Sequence, residues 1–174
     1  MVSESKLIAF LEQLRKNSRI NKHQHFHAAN RNQFYNNIFG IVAVVMNVFL
    51  SSLLFVTITE NLPDIAKWVS AFMAVVAAAC GAIQTFFNFQ KVFDGHRKAA
   101  NSYLEIQREC ERLLAMFVDN LISPELLAKE VEIINKSYTK ANNDAEVFPV
   151  GDRDHRKAMK YEKGIPDNSI MGIE

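Results

Sequence analysis

The side chains best equipped for chemistry are few and scattered. His23, His25 and His27 form an HxHxH run. On a helix only His23 and His27 share a face, so the run offers a metal two imidazoles where a zinc site needs three or four ligands. His96 and His155 are distant in sequence. Two readings of the run stand: an incomplete metal site, and a pH-sensitive patch close to a membrane. Cys80 and Cys110 lie thirty residues apart; on a continuous helix that is roughly 45 Å, too far for a disulfide. No phosphate-cradling glycine loop, GxSxG, HExxH or CxxC is present. The expectation is a protein that is not an enzyme and uses no cofactor and no metal.

The elements that must carry these residues are set by charge. The chain has 20 Lys and Arg and 19 Asp and Glu, for a net charge of +1. None lies between Arg31 and Glu60, and none between Lys67 and Lys91. The near-neutral balance gives no long-range attraction for a nucleic-acid polymer. The two charge-free stretches hold apolar runs at 38–58 and 68–90, each long enough to cross roughly 30 Å of hydrocarbon as a helix. Buried helices of a soluble bundle are the competing reading, but such helices rarely run so far without a charge. The expected fold is therefore an all-α membrane protein: a two-helix transmembrane hairpin with long cytoplasmic helical extensions that form a stalk, expected to oligomerise. The connection at 59–67 is too short to recross a bilayer, and Pro63 suits the first turn of the second helix. Lys and Arg concentrate on both outer flanks, which places both termini in the cytoplasm and the loop outside. Cell inner-membrane localisation follows.

Inside the spans, polar and small residues fall into stripes. Gly40, Ala43, Asn47 and Ser51 recur at helical steps in the first span, as do Ser70, Ala74, Ala77, Gly81, Gln84 and Asn88 in the second. An amide facing lipid leaves its donors and acceptors unmet. The face carrying Asn47, Ser51, Gly81, Gln84 and Asn88 must turn toward another helix or toward water. Close helix packing and the lining of a wet path both fit, and one hairpin cannot enclose a pore alone. With no Asp, Glu, Lys or Arg in either span, an ion-coupled transporter or proton relay is disfavoured.

The flanks read as helices. Residues 1–37 carry Leu7, Leu11 and Leu14 at helical spacing before the face turns polar, and one helix running on into the first span is the simplest arrangement. Residues 91–141 form a helical hairpin. Ala99, Tyr103, Ile106, Cys110, Leu113 and Phe117 recur at heptad steps, a seam that needs a partner, either another copy or the stalk itself. Gly95 reads as a hinge or as a tolerated helical glycine. After a break at Asp119–Ser123, Ser123 and Pro124 start a helix carrying Leu127, Val131, Ile134, Tyr138 and Ala141 on one face. It can fold back on the preceding helix or on the N-terminal one. In the basic tail, 142–174, a short helix near Arg153–Glu162 and a solvated, headgroup-contacting segment both stand as readings, and Arg153, Arg156, Lys157 and Lys160 are the candidate contact for a signal or for lipid headgroups.

The run LRKNSRINKHQHFHAANR (Leu14–Arg31) leads into the hairpin, FDGHRKAANSYLEIQRECERLL (Phe93–Leu114) follows it, and a Ser-Pro-started helix and DHRKAMKYEKG (Asp154–Gly164) complete the pattern. Over nearly the whole chain this resembles the SLATT family, two-transmembrane effector domains associated with SMODS nucleotidyltransferases and SLOG sensors in bacterial conflict systems. The resemblance implies a pore-forming effector of antiphage defence that permeabilises the inner membrane. Its trigger would be a cyclic or modified nucleotide signal or a co-encoded sensor protein, and its partners would be membrane lipids and further copies of itself. It brings no catalytic residues and leaves open whether a tail site, a stalk site or a separate sensor receives the signal. The rival expectation is a membrane-anchored helical scaffold that recruits a soluble partner through the seam around Tyr103 and Leu113.

Overall fold

The computed structural model describes residues 4–59 and 63–164. These form helices α1 (Glu4–Thr59), α2 (Asp64–Phe87), α3 (Phe89–Val118), α4 (Pro124–Glu146) and α5 (Asp152–Lys163), with no strand among the described residues. The loop expected at 59–67 has its centre, Glu60–Leu62, outside the described residues, as does the tail beyond Gly164.

Contacts divide the chain into two compact units: Asn30–Phe93, and Met1–Ala29 with Asp94–Glu174. The second is a bundle of the N-terminal half of α1 with α3, α4 and α5. Its core joins Ile8, Leu11 and Leu14 of α1 to Ala99, Tyr103, Ile106, Cys110, Leu113 and Leu114 of α3 and to Leu127, Val131, Ile134, Ala141 and Ala145 of α4. The heptad seam therefore meets α1 and α4 of its own chain. Helix α4 packs against both of the elements open to it, with Tyr138 meeting Asn21 of α1 and Asn142 meeting Tyr103 of α3. Each large aliphatic group so buried contributes about 1.5–3 kcal/mol.

The helix ends follow local chemistry. Ser123 caps α4 by accepting a hydrogen bond from the Leu126 amide at 3.3 Å, with Pro124 in the first turn. Asn120, at φ 54°, closes α3: its amide reaches the Phe117 carbonyl and that of Leu121 reaches the Met116 carbonyl, a paired left-handed stop. Pro63 stands one residue earlier than expected, as the N-cap of α2. The second span does not pass unbroken into the flanking helix. Asn88 adopts φ 45° and ψ 48°, ending α2 before α3 begins. Asparagine reaches this left-handed conformation more readily than other non-glycine residues.

The other unit is an antiparallel hairpin of the C-terminal half of α1 with α2 and the start of α3. Its helices meet along Asn36, Phe39, Ala43, Met46 and Leu50 on α1 and Ser70, Met73, Ala77, Cys80 and Gln84 on α2, all at least half-buried. These positions advance by alternating steps of three and four, the spacing of two helices packed along their length. Phe39 and Phe87 stack against Phe89 at 5.8 and 5.5 Å, and Tyr35 packs on it at a tilt at 5.9 Å. The outward side remains apolar, with Ile41, Val44, Val48, Leu54, Phe55, Phe72, Val75, Trp68 (77% exposed) and Phe86 (83%). Both helices are long and apolar enough to cross a membrane.

Candidate functional site

Two places in the molecule combine polar groups with unusual surroundings. The first is the amide set of the hairpin. Gln84 Nε2 donates to Asn36 Oδ1 at 2.9 Å and to the Asn36 carbonyl at 3.2 Å. A Cβ added at Gly40 would come within 3.3 Å of that same nitrogen, so glycine there leaves room for the amide pair. Asn36, Asn37, Gly40, Ile41, Val44, Val45 and Gln84 line a groove of about 410 Å³.

Asn47 is not part of this set. It is exposed, and no hydrogen bond to its side chain occurs among the described residues. Ser51 Oγ turns back to the Asn47 carbonyl at 2.8 Å and is also exposed. The expected face thus splits. Met46 and Leu50 take the seam, and Asn47 and Ser51 follow one residue later, about 100° around the helix. Ala74 faces outward and Met73 takes the seam instead. A Cβ at Gly81 would meet nothing within 4 Å, so this glycine serves no close approach within the chain. Asn88 is exposed and acts through its backbone.

The second place is a polar layer in the bundle. The α1 seam does not stop at Leu14. It continues through Ser18, Asn21, His25 and Ala28 at steps of four, three, four and three, and all four are buried or half-buried. Extending the α3 seam back by three residues from Ala99 reaches His96. The two seams meet: His25 Nδ1 and His96 Nδ1 lie 3.0 Å apart, with His25 4% and His96 2% exposed. His25 also stacks on Tyr103 at 5.7 Å, and Phe148 packs on His96 at 5.9 Å. Burial, and after it the neighbouring His96, pulls the His25 imidazole down to about 4. Burial raises the Tyr103 phenol to about 12, with Tyr138 adding to it, and its hydroxyl donates to Asn142 Oδ1 at 2.8 Å. Burial likewise lifts the Cys110 thiol to about 12, which leaves it unreactive.

The HxHxH run is distributed among different partners. His23 packs at a tilt on Tyr161 of α5 at 4.0 Å, His25 turns inward to His96, and His27 is half-buried. His96, distant in sequence, is thus in direct contact with the run. No group of three or more His, Cys, Asp or Glu positioned for a metal ion occurs among the described residues.

Helix α5 is docked by the other side chains of its inner face. Arg19 grips Glu162 with two parallel bonds from one guanidinium edge, Nε to Oε2 at 2.7 Å and Nη2 to Oε1, and His155 Nδ1 donates to Gln24 Oε1 at 3.0 Å. Ala158 and Asp154 are buried against the bundle. Arg153, Arg156, Lys157 and Lys160 consequently share the outer, exposed face. Between α4, α5 and the bundle lies a cleft of about 570 Å³. Its lining includes His25, Tyr103, Asn142, Glu146, Asp152 and His155, with no Lys or Arg.

Gly95 is neither a hinge nor an idle helical glycine. A Cβ built there would overlap the Phe148 ring, so the missing side chain is the socket for the residue that anchors the α4–α5 connection. Composition gives no sign of this, because the socket and its occupant are far apart in the chain.

No curated protein and no solved structure matches the chain. The profile of a family described as "protein of unknown function", DUF4231, matches residues 18–121. That span holds α2, α3, most of α1 and both histidines of the buried pair, and it stops before α4. The match covers more than half of the sequence, and the chain accordingly belongs to the DUF4231 family.

Proposed function

We propose that this chain is a pore-forming membrane effector of a bacterial antiphage or conflict defence system, in which hairpins inserted in the inner membrane assemble and permeabilise it on a signal. The observation that carries the reading is Asn47. It is an exposed amide with no side-chain hydrogen bond among the described residues, in the charge-free apolar stretch of α1, whose own hairpin seam is already filled. In lipid such a group is costly, by about 1–3 kcal/mol on the scale of protein substitutions. A second copy or a water-filled path relieves it, and both require assembly.

The exposed apolar side chains from Ile41 to Phe86 support insertion into a membrane, and the cations flanking the hairpin support cytoplasmic termini. The resemblance to the SLATT family supplies the defence context and the nature of the trigger, a nucleotide second messenger or a co-encoded sensor. An anionic signal, or anionic headgroups, suit the outer face of α5 with Arg153, Arg156, Lys157 and Lys160. They do not suit the cleft on its inner side, which has two carboxylates and no cation.

The scaffold reading loses its proposed docking surface, because Tyr103, Ile106, Cys110 and Leu113 are covered by α1 and α4, with Phe117 packed at the edge of the same core. The deciding experiment is dye and ion leakage from liposomes carrying the purified protein, together with membrane potential in cells that express it. Leakage that needs assembly supports the effector. A monomer that inserts and never leaks, even when overexpressed, rules it out.

A further inference from the structure

The His25–His96 contact has a stereochemistry that depends on the number of protons it holds. Two Nδ1 atoms at 3.0 Å can form a hydrogen bond only if one carries a hydrogen and the other presents a lone pair. A neutral pair satisfies this, and so does a pair holding one extra proton. A doubly protonated pair does not, because both Nδ1 atoms are then donors and two positive charges are buried in contact.

We propose that His25 and His96 form a two-proton latch, which holds α1 to α3 at the end of the bundle where α1 leaves it and opens when both imidazoles are protonated.

The surroundings make the opening local. The residues beside the pair on both helices are alanines, Ala28 and Ala29 on α1 and Ala99 and Ala100 on α3, all buried. Small side chains contribute little area, so the helices are joined there chiefly by the polar and aromatic contacts of His25 with His96 and Tyr103 and of Phe26 with Arg97, and His25 takes part in two of these three. At the opposite end of the bundle Leu11, Leu14, Cys110, Leu113 and Leu127 form an apolar core that does not titrate near neutrality.

The charged and titratable groups around the pair can be taken helix by helix. On α1, Lys22 is tied to Gln107 at 2.8 Å, while His23 and Gln24 are held by α5 and His27 is half-buried. On α3, Arg97 sits over the Phe26 ring at 5.6 Å, and Tyr103 is held by Asn142. Helix α4 brings Tyr138, which accepts from Asn21 at 3.2 Å, and Glu146; α5 brings Asp152 and His155 at the cleft, with Asp154 buried on its inner face. The carboxylates of Glu146 and Asp152 both line the cleft that has His25 in its wall. A protonated His25 that leaves His96 therefore has somewhere to turn, an open space bounded by two carboxylates.

The direction in pH follows. A buried imidazole held near 4 is neutral at pH 7, so the latch is fully closed there. Its stabilisation is retained above the ordinary imidazole range and is lost as the pH falls from about 6.5 toward 4. The latch rests on the geometry of the bundle alone, so it stands or falls separately from the pore reading.

The test is hydrogen exchange by mass spectrometry on the full chain in detergent, corrected for intrinsic rates, at a series of pH values between about 7 and 4.5. Wild type is expected to lose protection at residues 24–30 and 94–100 and to keep it at 8–14 and 110–117. The opening constant should rise by more than about tenfold per pH unit, because more than one proton drives it. His25→Gln keeps an acceptor for His96 in either charge state and should flatten the pH dependence. His96→Gln makes the same test should the first variant fail to fold. Glu146→Gln should shift the opening to lower pH. An unchanged pH dependence in both glutamine variants, or wild-type protection that does not fall at these segments, overturns the latch.

Discussion

Gln84 and Asn36 hold each other within one chain, the Gln84 amide nitrogen reaching both the side-chain and the main-chain oxygen of Asn36. Asn47, on the same helix as Asn36, is left outside the hairpin seam. Two amides that look equivalent as polar interruptions of apolar runs therefore do different work. One closes the hairpin and the other faces outward.

Asn47→Leu and Gln84→Leu should accordingly separate. The first leaves the hairpin intact and, in the proposed assembly, weakens the association of copies by about 1 kcal/mol per contact, the usual scale for interhelical polar contacts in membranes. The second loosens the hairpin and leaves the outward face untouched. Sedimentation in detergent reads the first effect, and cross-linking between cysteines placed on α1 and α2 reads the second. Equal effects of both variants on association would refute the division.

Gly95→Ala should destabilise the bundle by about 1–3 kcal/mol, the usual cost of overpacking. The new methyl group collides with Phe148. Removing the ring as well, in Gly95→Ala with Phe148→Ala, should cost less than the sum of the single changes. Thermal melts followed by circular dichroism supply the cycle; strict additivity would show that the two residues do not meet.

Arg19→Ala strands Glu162, whose side chain is only 8% exposed. The expected loss is about 1–3 kcal/mol of α5 docking, because a charge-assisted bidentate pair is replaced by a poorly solvated carboxylate. Faster proteolytic cleavage around Val147–Gly151 is the readout. Glu162→Gln in the same background should restore part of the protection.

Ser18→Ala should stabilise the bundle. The Ser18 hydroxyl is fully buried and has no hydrogen-bond partner among the described residues. Removing an unmet polar group and gaining helix propensity both act in the same direction, for about 1 kcal/mol together. A raised melting temperature is expected. A drop would mean that the hydroxyl is satisfied in solution.

Asn88→Gly should be tolerated and Asn88→Val should cost about 1–2 kcal/mol, because the residue stands in the left-handed region where a β-branched side chain collides with its own backbone. Denaturant titration of the two variants distinguishes this backbone role from a polar contact of the side chain, which both substitutions would remove equally.

The sequence by itself determined the helices, the two apolar stretches and the heptad register. A charge-free run of span length, a Ser-Pro start and a seam at steps of three and four are local signals, and each has its physical counterpart in α1 to α5. The short helix of the tail was only one of two readings open to the sequence; its docking on the bundle through Asp154, Ala158 and Glu162 belongs to the tertiary structure. Tertiary structure decided which side of each helix meets which neighbour. The Leu7–Leu14 seam looks finished where Ser18, Asn21 and His25 begin, since polar residues break a hydrophobic pattern even when the register continues. Only the packing of α1 against α3 shows that the register held and that His25 meets His96. The same is true of Gly95, whose lack of a side chain has meaning only once Phe148 is folded into it. Periodicity fixes the direction of a side chain relative to its own helix axis. The identity of the opposing group depends on how remote segments dock, and no local spacing encodes that.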